Sequence, residues 1–237
     1  MMVWGKGPRL FDMLIANVSP RTMAKTTDTA WLSHALQDDE EQYDIVGYDA
    51  DHSKQFERWS KKDKGDFGFP VHLAASAQFH REVTPPTGKT IAMVDCGHSE
   101  NHPHITDSVL RVADLVILHM SPTGADYERI VEPPDATPFM DILRRTAPLR
   151  PSKAMPPTWV LLNRTVHNAG STDYFRKEMA KEGYQVFTTV IPRSETLGQS
   201  MGFPITGAAK SAFGALVTEM KHRGLLPVGT NGEQSAG

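Results

Sequence analysis

Cysteine is nearly missing from this chain: Cys96 is the only one in 237 residues. A single thiol excludes an internal disulfide framework and any zinc site built on two or more thiolates. A reducing cytoplasm is the compartment that fits. No apolar run approaches the roughly 18 residues that a membrane span requires. The opening MMVWGKGPRLFD has no long apolar stretch and no small-residue cleavage site, so it does not read as a signal peptide. Positive charge is not in excess: 25 Lys and Arg stand against 28 Asp and Glu, a formal net charge of −3. Contact with nucleic acid would therefore need a local patch rather than a basic field over the whole molecule. Glycine is absent between Gly7 and Gly47, which bears on the first loop discussed below.

What remains is an ordinary globular composition, 39% apolar and 22% charged, with a length that suits one α/β domain. Strands are expected at Met13–Val18, Tyr43–Tyr48, Val71–Ala75, Thr90–Asp95, Leu115–Met120, Trp159–Asn163 and Gln185–Ile191. Helices are expected at Thr26–Gln37, Ser53–Lys61, Ser76–Glu82, Ile105–Val112, Thr137–Thr146, Thr172–Glu182 and Thr206–His222. Several strands are apolar almost throughout, as strands covered on both faces are. The alternation predicts a doubly wound, mostly parallel sheet with right-handed crossovers. The expected organisation is an extension over 1–12, a single domain over 13–224 and a flexible Gly/Ser/Asn/Pro-rich tail over 225–237.

In such folds ligands bind beyond the carboxyl ends of the strands. The first strand runs into Ser-Pro-Arg-Thr-Met-Ala-Lys-Thr-Thr and then a helix, the layout of a phosphate-binding loop. Lys25 is placed to reach phosphates and Thr26 to bind Mg²⁺, whereas the plainer reading makes Thr26 or Thr27 a helix cap. The second strand ends at Asp49-Ala50-Asp51 and the fourth at Asp95-Cys96-Gly97-His98. Strand-end carboxylates can hold Mg²⁺ or orient attacking water, or can simply cap turns. The sixth ends at Asn163-Arg164 and the seventh at Pro192-Arg193, where an amide and a proline loop suit the edge of a purine. Cys96, His98, His102 and His104 crowd one stretch whose residue types suit a transition metal, but Pro103 stiffens the segment against convergence and no bound metal is predicted. His119 reads as a hydrogen-bonded strand-end residue rather than a ligand. Arg144, Arg145, Arg150, Lys153, Lys210, Lys221 and Arg223 are the cations available for a DNA-facing patch.

Taken in order, Lys25-Thr26-Thr27, Tyr48-Asp49-Ala50-Asp51, Val94–His98, Ala113–Val116, Leu161–Arg164, Val190–Arg193 and Thr196–Ile205 resemble the ParA/MinD group of deviant Walker P-loop ATPases, and ParA-type partition proteins in particular. The likeness runs from about Met13 to Arg223. It implies a P-loop NTPase fold that binds ATP and Mg²⁺, forms a nucleotide-dependent homodimer and binds DNA non-specifically. It further implies weak hydrolysis stimulated by a ParB-like adaptor, and a cytoplasmic, nucleoid-associated life without a membrane. Carried over by position, Arg21, Thr22, Met23, Ala24, Lys25, Thr26 and Thr27 would surround phosphate. Asn163, Arg164, Pro192, Arg193 and Ser194 would meet the base. Asp49, Asp51 and Asp95 would form the switch region, with Thr26, Asp49 and Asp95 around Mg²⁺ and Asp49 and Lys25 in catalytic positions.

One departure stands out. The family loop reads Lys-Gly-Gly-x-Gly-Lys-Thr-Thr, and here the matching residues are Pro20 to Thr27, without a glycine. Glycine serves such loops through its access to positive φ and its close approach to phosphate. Pro20 also lacks an N–H and stands where the family has its signature lysine. Losing two or three phosphate contacts would weaken binding by roughly 10²–10⁶-fold. The competing expectation is therefore a pseudo-ATPase that keeps the fold as a scaffold or binding module. A third is a relative that transfers phosphate to a small molecule or acts as an amidoligase.

Overall fold

The computed structural model describes residues 13–21, 23–62, 66–83 and 90–227. The chain alternates β1 (Met13–Ser19), α1 (Lys25–Gln37), β2 (Asp44–Ala50), α2 (Gln55–Ser60), β3 (Val71–Leu73), α3 (Phe79–Glu82) and β4 (Thr90–His98). It continues through α4 (Pro103–Leu110), β5 (Leu115–Met120), α5 (Gly124–Val131), α6 (Phe139–Thr146), β6 (Thr158–Thr165) and α7 (Ser171–Lys181). It closes with β7 (Gln185–Val186), β8 (Ile191–Pro192), α8 (Glu195–Gln199) and α9 (Ala212–His222). The strands form one eight-stranded sheet in the order β3-β2-β4-β1-β5-β6-β7, with β8 also paired to β6. Every pairing is parallel. This is the doubly wound α/β architecture that the alternation predicted.

Period-two alternation divides the strand side chains between two cores. Ile15, Ile91, Met93, Leu115, Ile117 and Leu161 face α1, α2 and α9 on one side. Leu14, Ala16, Val18, Ala92, Val94, Val116, Leu118 and Val160 face α4 to α7 on the other. Both faces are covered, which is why these strands read as unbroken apolar runs. α1 is buried over most of its length, including Ala30, Trp31, Leu32, Ala35 and Leu36. It is the helix that the central strand β1 leads into, at the middle of the sheet.

Several boundaries moved. α5 and α8 had not been anticipated, and the expected strand Gln185–Ile191 is two short strands. The amides of Thr188 and Thr189 donate instead to the Glu219 carboxylate of α9, at 2.8 and 2.7 Å. The last helix begins at Ala212 rather than Thr206, after a left-handed Gly207 and a short 3-10 turn. Gly214 is needed there, because a Cβ would lie 1.9 Å from the Ala209 carbonyl oxygen. Chain order is kept through Pro227: Leu226 is buried, and the Pro227 carbonyl accepts a 2.6 Å hydrogen bond from the Tyr43 hydroxyl. The expected extension over 1–12 and the rest of the expected tail lie outside the described residues.

Candidate functional site

β1 ends at Ser19, level with His98 at the end of β4, while β5 runs on to Met120. The connecting loop turns into α1 through Ala24, whose φ of 56° and ψ of 16° are left-handed. That is the conformation glycine adopts without cost. The loop thus makes the turn into α1 with alanine.

Lys25 is 5% exposed, and its Nζ donates to Ser19 Oγ at 3.0 Å and to the Arg21 carbonyl at 3.4 Å. Burial pushes its pKa down, while Asp95 and Asp51 oppose that shift. The Thr26 hydroxyl donates to Asp95 Oδ2 at 2.6 Å. Asp95 Oδ1 is buried and has no partner among the described residues. Burial raises the Asp95 carboxyl from 3.8 to about 7, against the pull of Lys25 and Thr26. Asp49 sits beside Asp95 in register across β2 and β4. Residues from three separate strand ends therefore do meet.

A hollow of about 370 Å³ opens in front of them, lined by Met23 to Thr27, Asp51, His52, Ser53, Gln55, His98, His102 and Met201. A second, of about 580 Å³, is lined by Ala24, Thr27, Asp28, Asn163, Arg164 and Ile191 to Glu195, with Leu197 to Gln199. The two share Ala24 and Thr27. The base-facing candidates Asn163, Arg164, Pro192, Arg193 and Ser194 are gathered there. Ser194 also caps α8, accepting from the Leu197 amide at 3.5 Å.

Two expectations change on this geometry, those for Asp49 and Arg21. Asp49 does not line the hollow. Its Oδ1 accepts the Asp51 amide at 3.0 Å and its Oδ2 the Glu57 amide at 2.9 Å, so it caps the start of α2, and Asp51 is the acid that faces the hollow. Arg21 turns outward to Glu100 at 2.6 Å, and Arg129 of α5 pairs with the same carboxylate at 3.3 Å. Arg21 is thereby drawn off the phosphate position. Met23 is buried, with Ser121 Oγ 3.9 Å from its sulfur. Thr22 lies outside the described residues.

The metal cluster does not assemble either. Among the described residues no group of three or more His, Cys, Asp or Glu converges as a metal site. Cys96 is buried in the apolar face, and His104 lines a different hollow with Arg129 and Arg145. The expected DNA-facing cations are also dispersed. Arg150 is buried on the Leu110 carbonyl, Arg144 pairs with Asp141, Arg145 with Asp107, Lys221 with Asp39 and Glu40, and Arg223 with Glu219. His119 does occupy the hydrogen-bonded position expected of it, between Asp28 and Asn17. Asp28, Asn17 and His52 carry no motif that marks them in the sequence.

No protein-family model matches this chain, and no curated protein matches it in sequence. Solved structures do match in fold. A candidate plasmid partition protein from Borrelia burgdorferi, bound to AMPPNP, superposes with a TM-score of 0.63 at 11% identity, over 90% of this chain and 99% of that one. Cobyrinic acid a,c-diamide synthase from Mycobacterium smegmatis, with ADP and magnesium, gives 0.60 at 14% identity over 93% and 100%. A chain of the MinC:MinD cell division protein complex of Aquifex aeolicus gives 0.59 at 13% identity over 93% and 99%. The fold is that of the P-loop NTPases of ParA/MinD type. At these identities the likeness is one of architecture. Among the described residues no helix is long and apolar enough to cross a membrane.

Proposed function

We propose that this protein is a nucleotide-binding switch of the ParA/MinD type, taking ATP with Mg²⁺. The observation that carries the reading is the pair of adjoining hollows. One brings Lys25 and Thr26 to the rim beside Asp95, and the other gathers Asn163 and the Pro192–Ser194 loop. A triphosphate and a base laid across Ala24 and Thr27 would meet both. Hard oxygen donors suit Mg²⁺, which keeps several waters and binds through one or two carboxylates and phosphate. The Thr26 hydroxyl and the unpartnered Asp95 oxygen fit that donor set. The metal would offset phosphate charge there. Lys25, already desolvated, supplies a cation with little further cost of burial.

Support for hydrolysis is thinner. The carboxylate expected to orient water, Asp49, is held by two backbone amides. This favours the second reading, a scaffold or binding module that keeps the fold with little or no turnover. Nothing comparable supports DNA contact, because most of the cations expected there are paired with acids or carbonyls.

The test is a titration of ATP against the full chain with and without Mg²⁺, repeated on Lys25→Ala and Thr26→Ala. The expected result is binding that weakens at least tenfold in Lys25→Ala, with Mg²⁺ dependence lost in Thr26→Ala. An intact chain that binds no ATP, or a Lys25→Ala variant that binds as well, refutes the proposal. Size-exclusion runs with and without ATP test the nucleotide-dependent dimer.

A further inference from the structure

The first hollow holds histidines that Mg²⁺ and the phosphate loop do not account for. His52, His98 and His102 line it beside Lys25, Thr26 and Asp51. The His52 and His102 rings meet edge to face, with centroids 4.6 Å apart. His52 follows β2 and is exposed, and His102 sits half-buried at the start of α4. Gly97 of β4 makes room beside them: a Cβ there would lie 3.3 Å from the His102 ring and 3.5 Å from the Asp51 carboxyl carbon. The pair is not part of a metal cluster, since among the described residues no three His, Cys, Asp or Glu converge as one.

The hollow is short of fixed positive charge. Its loop has no glycine, Pro20 brings no N–H, and Arg21 is drawn off to Glu100. Among the described residues that line it, Lys25 is the one ammonium or guanidinium. Several charged groups face the imidazoles. Lys25 comes from α1, Asp51 from beyond β2, and His98 and Glu100 from the end of β4 and the loop after it. Arg58 of α2 is turned to the Ser53 carbonyl, next to His52. Burial and the nearby Lys25 push the His98 pKa down, which keeps that ring neutral at pH 7. His52 and His102 touch, so a charge on one opposes a charge on the other. A phosphate laid against them reverses this, because an opposite charge favours the protonated ring and accepts from its N–H groups.

We propose that His52 and His102 act as a proton-linked pair, so that this protein takes up ATP together with a proton and holds it more tightly as pH falls. The inference rests on the nucleotide reading above and adds to it a dependence on pH. Imidazole changes charge near pH 6.5, and a bound phosphate moves that change upward. The added affinity is fully present below the value of the free pair. It is lost as pH rises through the value in the complex. Each linked proton changes the dissociation constant by up to about tenfold per pH unit in that window. Neither histidine lines the second hollow, so the effect falls on the phosphates and not on the base.

The experiment measures the ATP dissociation constant of the full chain, with Mg²⁺ and at constant ionic strength, at pH 6, 7 and 8. It is repeated on the double variant His52→Gln, His102→Gln and on His52→Arg. The nucleotide's own phosphate, Lys25 and Asp95 titrate in every protein compared, so the readout is the difference between pH slopes. The double variant is expected to match the unaltered chain within about threefold at pH 8 and to bind about tenfold more weakly at pH 6. His52→Arg keeps its charge at pH 8 and is expected to bind more tightly there than the unaltered chain, with a shallower slope. Calorimetry at pH 7 in two buffers of different ionisation enthalpy should show the unaltered chain taking up more protons per ATP than the double variant. His52 is exposed, and His52→Gln alone replaces the double variant if that one does not fold. A variant that loses affinity equally at pH 6 and 8, or that keeps the unaltered slope and proton uptake, overturns the inference and leaves the nucleotide reading standing. An unaltered chain that binds no ATP at any of the three pH values overturns that reading, and the inference with it.

Discussion

Replacing Asp95 by Asn should make the ligand-free protein more stable while weakening its hold on ATP and Mg²⁺. Burial raises the Asp95 carboxyl from 3.8 to about 7, with Lys25 and the Thr26 hydroxyl opposing the rise. An acid whose folded value is raised binds its proton more tightly in the folded chain than in the unfolded one. Its stabilising contribution is fully present below about pH 4 and is lost as pH climbs through about 7. A rise of that size corresponds to about 4 kcal/mol. The amide of Asn has its own burial cost, and Thr26 can still donate to its oxygen, so the net gain expected at pH 8 is about 1–3 kcal/mol. Asp28 and Asp49 are also raised by burial. The fall in stability from pH 4 to 7 should therefore shrink in Asp95→Asn rather than vanish. The assay is urea unfolding at pH 5, 6, 7 and 8, followed by tryptophan fluorescence from the buried Trp31 and Trp59. An Asp95→Asn chain that is less stable at pH 8, or that shows an unaltered pH slope, would refute the reasoning.

Three further outcomes follow from local geometry. Ala24→Gly removes a left-handed alanine at φ 56° and should stabilise by about 0.5–1 kcal/mol after the added freedom of the unfolded chain is counted, which urea midpoints will show. Asp49→Ala leaves the Asp51 and Glu57 amides without their acceptor and should cost about 1–3 kcal/mol in thermal or urea melts; an unchanged stability would return Asp49 to a purely catalytic role. Gly214→Ala must displace the Ala209 backbone, 1.9 Å from the added carbon, and should cost about 1–3 kcal/mol by the same measurement.

Much of the fold was legible because the central strands are covered on both faces. β5 was placed to the residue, and β1, β4 and α1 nearly so, since an apolar run ending at a polar loop marks such a strand directly. α5 was not legible because it is only eight residues long and buries a single side chain, Ile130. α8 buries none. The break between β7 and β8 depends on Glu219, some thirty residues further on, and no local pattern announces a partner so distant. Within the site, Lys25, Thr26 and Asp95 were found by their order at strand ends. The reassignment of Asp49 was not, because a capping aspartate and a water-positioning one look alike until the amides around them are seen. Asn163 was found, but not its hydrogen bond to Asp28 on another element.

The clasp of Glu219 on Thr188 and Thr189 joins α9 to the segment between β7 and β8. α9 carries that carboxylate, and on its other flank Lys221 reaches Asp39, just beyond the end of α1. The wall that includes Pro192 and Arg193 is thus braced from a helix that contributes nothing to the hollow it supports. A fragment stopped before Ser211 would keep every residue of both hollows and still lose the brace that sets their spacing, so truncation there should be felt first at Pro192, not at the cut.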